Sequence, residues 1–189
     1  MKTKTLAAHL LGLVFLLGQT SYKVDNSKSK LTIDGTSTLH DWTSVAEQVS
    51  GDASIQFDNN SIKINNLKFQ VLVSSIKSGK EGMDENTWEE LKYEDYPNIQ
   101  YELVSVGKVT PTDSGFALET KGALQVAGKS QVIQMTVTAM QMENQLSFSG
   151  EKALKMTDFE IDPPTMFLGT IRTGDDITIK FKVLFNKEM

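Results

Sequence analysis

Leu67-Lys68-Phe69-Gln70-Val71-Leu72-Val73 is the stretch whose reading decides the fold. Leu67, Phe69, Val71 and Val73 fall on every second position, with Lys68 and Gln70 between them; Leu72 alone breaks the polar set. Successive side chains of a strand point to opposite faces, so this period puts one apolar and one polar face on a single strand.

The same period extends outward in both directions. On the N-terminal side Leu31 and Ile33 alternate with Lys30, Thr32 and Asp34, and Ala53, Ile55 and Phe57 with Asp52, Ser54 and Gln56. On the C-terminal side Ile99, Tyr101 and Leu103 alternate with Gln100 and Glu102. Shorter runs follow at Phe116 and Leu118, Leu124 and Val126, Ile133 to Val137 through Met135, and Leu146 and Phe148. The last is Ile177, Ile179, Phe181 and Val183. Turn residues punctuate the runs at Asp58-Asn59-Asn60, Pro111-Thr112-Asp113-Ser114-Gly115, Ala127-Gly128-Lys129 and Thr173-Gly174-Asp175-Asp176. Short turns make neighbours antiparallel, and about eight such strands fit either a closed barrel or a sandwich. Composition does not separate the two.

One segment departs from alternation. In Gly82 to Lys92, Asp84 is a candidate N-cap, Glu85 suits the positive helix end, and Met83 and Trp88 take the two positions of a hydrophobic staple. Trp88 and Leu91 then share a helix face that can lie against the strands. Tyr96-Pro97 ends the excursion, because the residue before proline is pushed toward extended geometry.

The chain of 189 residues opens with a positive start at Lys2 and Lys4, an apolar run from Leu6 to Gly18, and a small, polar exit at Gly18 to Ser21. That order is expected of a signal peptide over residues 1–21, with one domain over 22–189 and a periplasmic or secreted location. The rival is an uncleaved anchor, although the run is shorter than the roughly 20 residues a spanning helix needs. No Cys follows the run, so a lipoprotein anchor is not expected. The absence of Cys also removes disulfides and thiolate metal sites. A net charge of −5 argues against nucleic acid or an anionic membrane surface as partner.

Catalytic patterns are scarce. His9 lies in the leader, so His40 is the single histidine of the expected mature chain. No zinc site of several histidines can form, and a Ser-His-Asp triad would have to use His40 as base. Asp41 is a poor orienter for it in an extended chain, because neighbouring side chains diverge. Asp113-Ser114-Gly115 matches the aspartic-protease tripeptide but reads as a hairpin turn; Glu89-Glu90 and Asp175-Asp176 read as solvated carboxylates. The polar cluster Gly35-Thr36-Ser37-Thr38-Leu39-His40-Asp41-Trp42 is either a structural corner or a head-group site. The stiff segment Asp162 to Thr170, with Phe167 at its centre, either flanks a binding mouth or merely joins strands.

Taken in order, several motifs resemble the YceI-like family of exported polyisoprenoid-binding proteins from Tyr22 to Phe185. They are Tyr22-Lys23-Val24-Asp25, Ser29-Lys30-Leu31, the Gly35 to Trp42 corner, and the Met83 to Lys92 helix leading into Tyr96-Pro97-Asn98-Ile99-Gln100-Tyr101. Gly122-Ala123-Leu124-Gln125-Val126-Ala127-Gly128-Lys129, Pro163-Pro164-Thr165 and Asp176-Ile177-Thr178-Ile179-Lys180-Phe181 complete the set. The resemblance implies an all-β, eight-stranded antiparallel, lipocalin-like barrel with one short helix, holding a polyisoprenoid or isoprenoid quinone for carriage, storage or shielding. It implies no catalysis and no cofactor, and the family's head-group residues do not carry over.

On this reading Phe69, Val71, Tyr101, Leu103, Phe116, Leu118, Met135, Phe148 and Phe181 line the barrel, while Lys68, Gln70, Gln100 and Glu102 face water. Trp88 covers one end from the helix, and His40, Trp42 and Phe167 stand as mouth or head-group residues. The expected partner is an apolar lipid; a homodimer is compatible, and after leader removal nothing spans a membrane. A solid-core structural module explains the same apolar residues, and a secreted lipid-ester hydrolase based on His40 is the enzymatic alternative.

Overall fold

The computed structural model describes residues 19–58, 61–166 and 170–188. Most of the expected leader, and Phe167, lie outside them. Strand β1 is formed by Thr20–Val24 and Lys30–Ser37, β2 by Trp42–Ala46 and Val49–Asp58, and β3 by Ser61–Leu72, resuming at Ile76–Lys77 after a 3-10 turn. Helix α1 (Glu81–Glu90) is followed by β4 (Asn98–Thr112), β5 (Gly115–Val126), β6 (Lys129–Gln141), β7 (Gln145–Lys155) and β8 (Ile171–Lys187).

Each strand pairs antiparallel with the next, and β8 returns to β1, with Val24 opposite Phe185 and Leu31 opposite Phe181. The result is a closed eight-stranded barrel, not a sandwich, in which every strand has a partner on each side. The breaks in β1 and β2 lie side by side and are stitched by Asn26. Its Nδ2 donates to Glu47 O at 3.0 Å and its Oδ1 accepts from Val49 N at 2.6 Å, so main-chain groups freed by one break are satisfied from the other.

The register follows the alternation. Phe69 sits opposite Tyr101, and Gln70 opposite Gln100. On the outer face Lys68 and Glu102 pair at 3.5 Å. Leu72 is half-buried on the outer phase and does not line the interior. Asp113-Ser114 is the two-residue turn between β4 and β5. Thr173 to Asp176, by contrast, is no turn between strands. It forms an irregularity within β8, where the register shifts between Thr173 and Ile177, and Lys155 ion-pairs both Asp175 and Asp176.

The helix also starts earlier than its capping pattern suggests. Lys80 is the N-cap and contributes no side-chain cap, while Asp84 lies inside α1 and is buried. Its Oδ1 accepts from both the amide and the hydroxyl of Ser78 at 2.6 Å, and Lys77 stands 3.9 Å from its other oxygen. Asp84 therefore anchors the preceding loop, because a buried carboxylate must find donors and Ser78 supplies two. With the cap at Lys80, Met83 and Trp88 are not a staple. Asp84→Ala is expected to cost about 2 kcal/mol, the range for hydrogen bonds to a charged group, as a lower urea midpoint at unchanged slope. An unmoved midpoint would show that the loop holds without the carboxylate.

One end of the barrel is solid. Tyr22, Ile55, Leu146 and Phe185 fill it, and Phe148 meets Phe185 edge-on, centroids 5.5 Å apart at 89°. The other end lies beneath α1.

Candidate ligand-binding cavity

Between the solid end and α1 the barrel encloses a cavity of about 600 Å³, within the range that holds small-molecule ligands. Phe69, Val71, Tyr101, Leu103, Leu118, Met135, Phe148 and Phe181 line it. Phe116 does not: it enters β5 just after the Asp113-Ser114 turn and packs against the solid end. The alternation placed it on the correct face but carries no information about height along the barrel.

An eight-stranded barrel is narrow enough for side chains to fill it, and three glycines at inward positions keep this one open. A Cβ at Gly122 would lie 2.2 Å from the Tyr101 ring, one at Gly35 2.2 Å from the Trp42 ring, and one at Gly150 3.0 Å from the Phe181 ring. Each aromatic occupies the space of an absent side chain, banked against the wall instead of reaching across the lumen. Polar atoms here are few, and two of them are partnered deep in the lumen: Thr120 Oγ1 donates to Met135 O at 3.0 Å, and Tyr101 bonds to the Thr120 side chain. Burial pushes the Tyr101 phenol above its ordinary value, so it stays neutral in the lumen.

The mouth is polar. α1 presents Met83, Asn86, Thr87 and Glu90 to the cavity, the i, i+3, i+4, i+7 stripe of one helix face. Trp88 lies off that stripe and does not line the cavity. Its Nε1 donates to Ile76 O at 3.0 Å, and Lys77 Nζ sits 3.8 Å above its ring, so Trp88 clamps α1 to the end of β3. Trp42 does line the mouth, with Nε1 donating to Thr36 O at 3.0 Å.

His40 faces the mouth with both ring nitrogens engaged. Nδ1 is 2.8 Å from Asp41 O and Nε2 is 3.3 Å from Lys80 Nζ. An ammonium only donates, so Nε2 accepts and the Nδ1–H donates to the carbonyl. Among the described residues no hydroxyl or carboxylate side chain bonds the ring, so the elements of a triad are not brought together. Ser37 Oγ instead accepts from the Leu39 and His40 amides, making the corner structural. The described residues contain no cluster of three or more His, Asp or Glu suited to a metal ion.

The 3-10 segment Met156–Phe159 completes the rim, with Phe159 and Met156 lining the cavity; nothing in the alternation pointed to it. Asp175 holds it, accepting from Thr157 N at 2.9 Å and Thr157 Oγ1 at 2.8 Å. The Thr157 amide, with lesser help from its hydroxyl and from Lys155, keeps the Asp175 carboxyl below its usual 3.8. A carboxyl whose value is lowered by folding stabilises fully above its unfolded value, and the contribution is lost as pH falls through the lower folded one. Protection of the Thr157 amide, corrected for intrinsic exchange, is therefore expected to decline below pH 3.8. Asp175→Asn should flatten that decline; an unchanged profile would place the anchor elsewhere.

A closed antiparallel barrel, solid at one end with an apolar lumen under a polar mouth at the other, defines a lipocalin-like class of barrel whose lumen has room for a small molecule. The chain belongs to the YceI-like domain family, whose model matches residues 22–185. Among solved structures, Burkholderia cenocepacia BcnA superposes with a TM-score of 0.67 at 19% identity, covering 85% of this chain and 98% of that one. A polyisoprenoid binding domain from Saccharophagus degradans gives 0.68 at 11% identity, covering 88% and 98%. The Campylobacter jejuni YCEI protein gives 0.60 at 19% identity, covering 77% and 84%. At such identities the likeness is one of fold. No curated protein matches the chain.

Proposed function

We propose that this chain is an exported, non-enzymatic binding protein that holds a long apolar lipid, an isoprenoid or isoprenoid quinone, inside its barrel for carriage, storage or shielding. The observation that carries this reading is the glycine-backed apolar cavity of about 600 Å³ beneath a polar mouth. A chain without polar handles is bound by burial, at roughly 25 cal/mol per Å² of apolar surface removed from water. A lumen of Phe, Leu, Ile, Val and Met offers that with loose specificity. Export to the periplasm or medium is supported by the order of residues 1–21, and the absence of catalysis by the occupied ring of His40.

Organic extraction of the purified protein followed by mass spectrometry tests the binding. A co-purifying isoprenoid or quinone, or uptake of added isoprenoid by stripped protein, is expected. A clean extract with no uptake would return the chain to a structural role. Turnover of isoprenyl esters that His40→Ala removes would overturn the non-enzymatic reading.

A further inference from the structure

Strand pairing in the barrel wall lapses at two places, between β3 and β4 beyond the Lys68–Glu102 pair and between β6 and β7, and the second carries an inward-facing charge. β7 pairs with β6 only from Leu146 to Gly150, opposite Gln141 to Val137. Yet β7 continues against β8 as far as Lys155, and β6 continues against β5 as far as Lys129. Beyond Gly150 the two strands part, leaving a slot whose cavity-lining edges are Ile133 and Met135 on β6 and Lys152 and Leu154 on β7. The 3-10 segment bounds the slot toward the mouth, where Asp158 O accepts from Gln131 Nε2 at 2.9 Å and Glu160 ion-pairs Lys129.

Lys152 is the group this wall does not account for. It shares the inward phase of Phe148 and Leu154, and among the described residues it is the one charged side chain at an inward strand position lining the cavity. Lys155, in the opposite phase, is held by Asp175 and Asp176, Lys180 by Asp34 and Lys129 by Glu160. No hydrogen bond or ion pair with a described residue engages the Lys152 side chain, whose backbone is paired within the β7–β8 ladder. An ammonium beside an apolar lumen is costly unless it is hydrated or paired. Half-buried at the slot, Lys152 can lay its aliphatic stem on the lumen and keep its charge near water.

The geometry points to a head-group site in this slot: the bound lipid is a single-chain amphiphile with an anionic end, a carboxylate or a phosphate monoester, whose chain fills the lumen and whose anion pairs with Lys152. The inference rests on the lipid-binding reading above. The mouth is a poorer place for the anion, because Lys80 is already engaged by His40 and Glu90 adds negative charge to the same rim. The slot offers an unpaired cation within reach of both lumen and water.

The test uses the delipidated full domain with three probes, farnesyl phosphate, palmitate and farnesol, against wild type, Lys152→Met and Lys152→Arg at low ionic strength. Lys152→Met is expected to weaken an anionic probe about tenfold while leaving farnesol unchanged, and Lys152→Arg to retain the anion preference. Loss confined to farnesyl phosphate identifies a phosphate ligand, and loss confined to palmitate a carboxylate. A purely structural lysine would shift the unfolding midpoint or all three probes alike. If all three bind and Lys152→Met changes none, or changes all equally, the slot is not the head-group site. If none binds wild type, the lipid-binding reading itself fails.

Discussion

Phe148→Asp is expected to leave no folded barrel, whereas Gln100→Asp should shift stability by less than about 0.5 kcal/mol. Phe148 is 5% exposed, lies edge-on to the fully enclosed Phe185, and forms both the top of the solid core and the floor of the cavity. Removing such a ring alone costs about 3–5 kcal/mol. A carboxylate in its place has no donor to meet it, and the combined loss reaches the roughly 5–15 kcal/mol that hold a domain together. Gln100 is exposed on the outer face among polar neighbours, Gln70 and Gln125 opposite it and Lys68 and Glu102 beside it, so a charge there stays solvated. Phe148→Leu, at about 1–2 kcal/mol, gives a graded variant that still folds. Thermal unfolding of the three proteins reads the effect. Equal tolerance of Phe148→Asp and Gln100→Asp would mean that the interior lies on the opposite face.

Gly122→Val is expected to reduce isoprenoid uptake at least about tenfold, with a stability cost of about 1–3 kcal/mol from overpacking. Its Cβ would stand 2.2 Å from the Tyr101 ring, too close to share the space. The ring must move, and the wall behind it is occupied by paired β4 and β5, so the lumen is the space that receives it. Tyr101→Ala in the same chain removes the ring and should restore uptake, a non-additivity expected only where two residues compete for one space. Titrating stripped wild type, single and double variants with a fluorescent isoprenoid checks both steps. A single variant that binds like wild type, or a double variant that stays impaired, would show that the ligand does not use this part of the lumen.

The inward and outward sets along β3, β4 and β5 were legible in the sequence, because strand geometry assigns faces by parity and a polar residue on the buried face is costly. Phe69 and Gln70, or Tyr101 and Gln100, could be sorted without any tertiary information. The same parity runs through Phe148, Gly150, Lys152 and Leu154, but glycine and lysine interrupt the apolar signal, so the legible pattern ends at Phe148. The YceI-like motifs likewise marked the barrel and the corner at Gly35 to Trp42, though not what either end of the barrel contains.

What the sequence by itself determined is therefore the strand periodicity, the antiparallel order and the face of most side chains, all consequences of local geometry. The tertiary structure decided the rest, because each remaining feature depends on residues brought together from distant strands. Closure required β8 to meet β1, and only that pairing separates a barrel from a sandwich. The open lumen depends on Gly122 lying beneath Tyr101 and Gly150 beneath Phe181, pairs that no local pattern encodes. Placing Phe116 in the solid end and Trp88 outside the mouth depended on height along the barrel and on the helix start, neither of which parity specifies. The slot beside Lys152 exists because β6 and β7 part beyond Gly150, a property of how two strands pair and not of either strand's sequence alone.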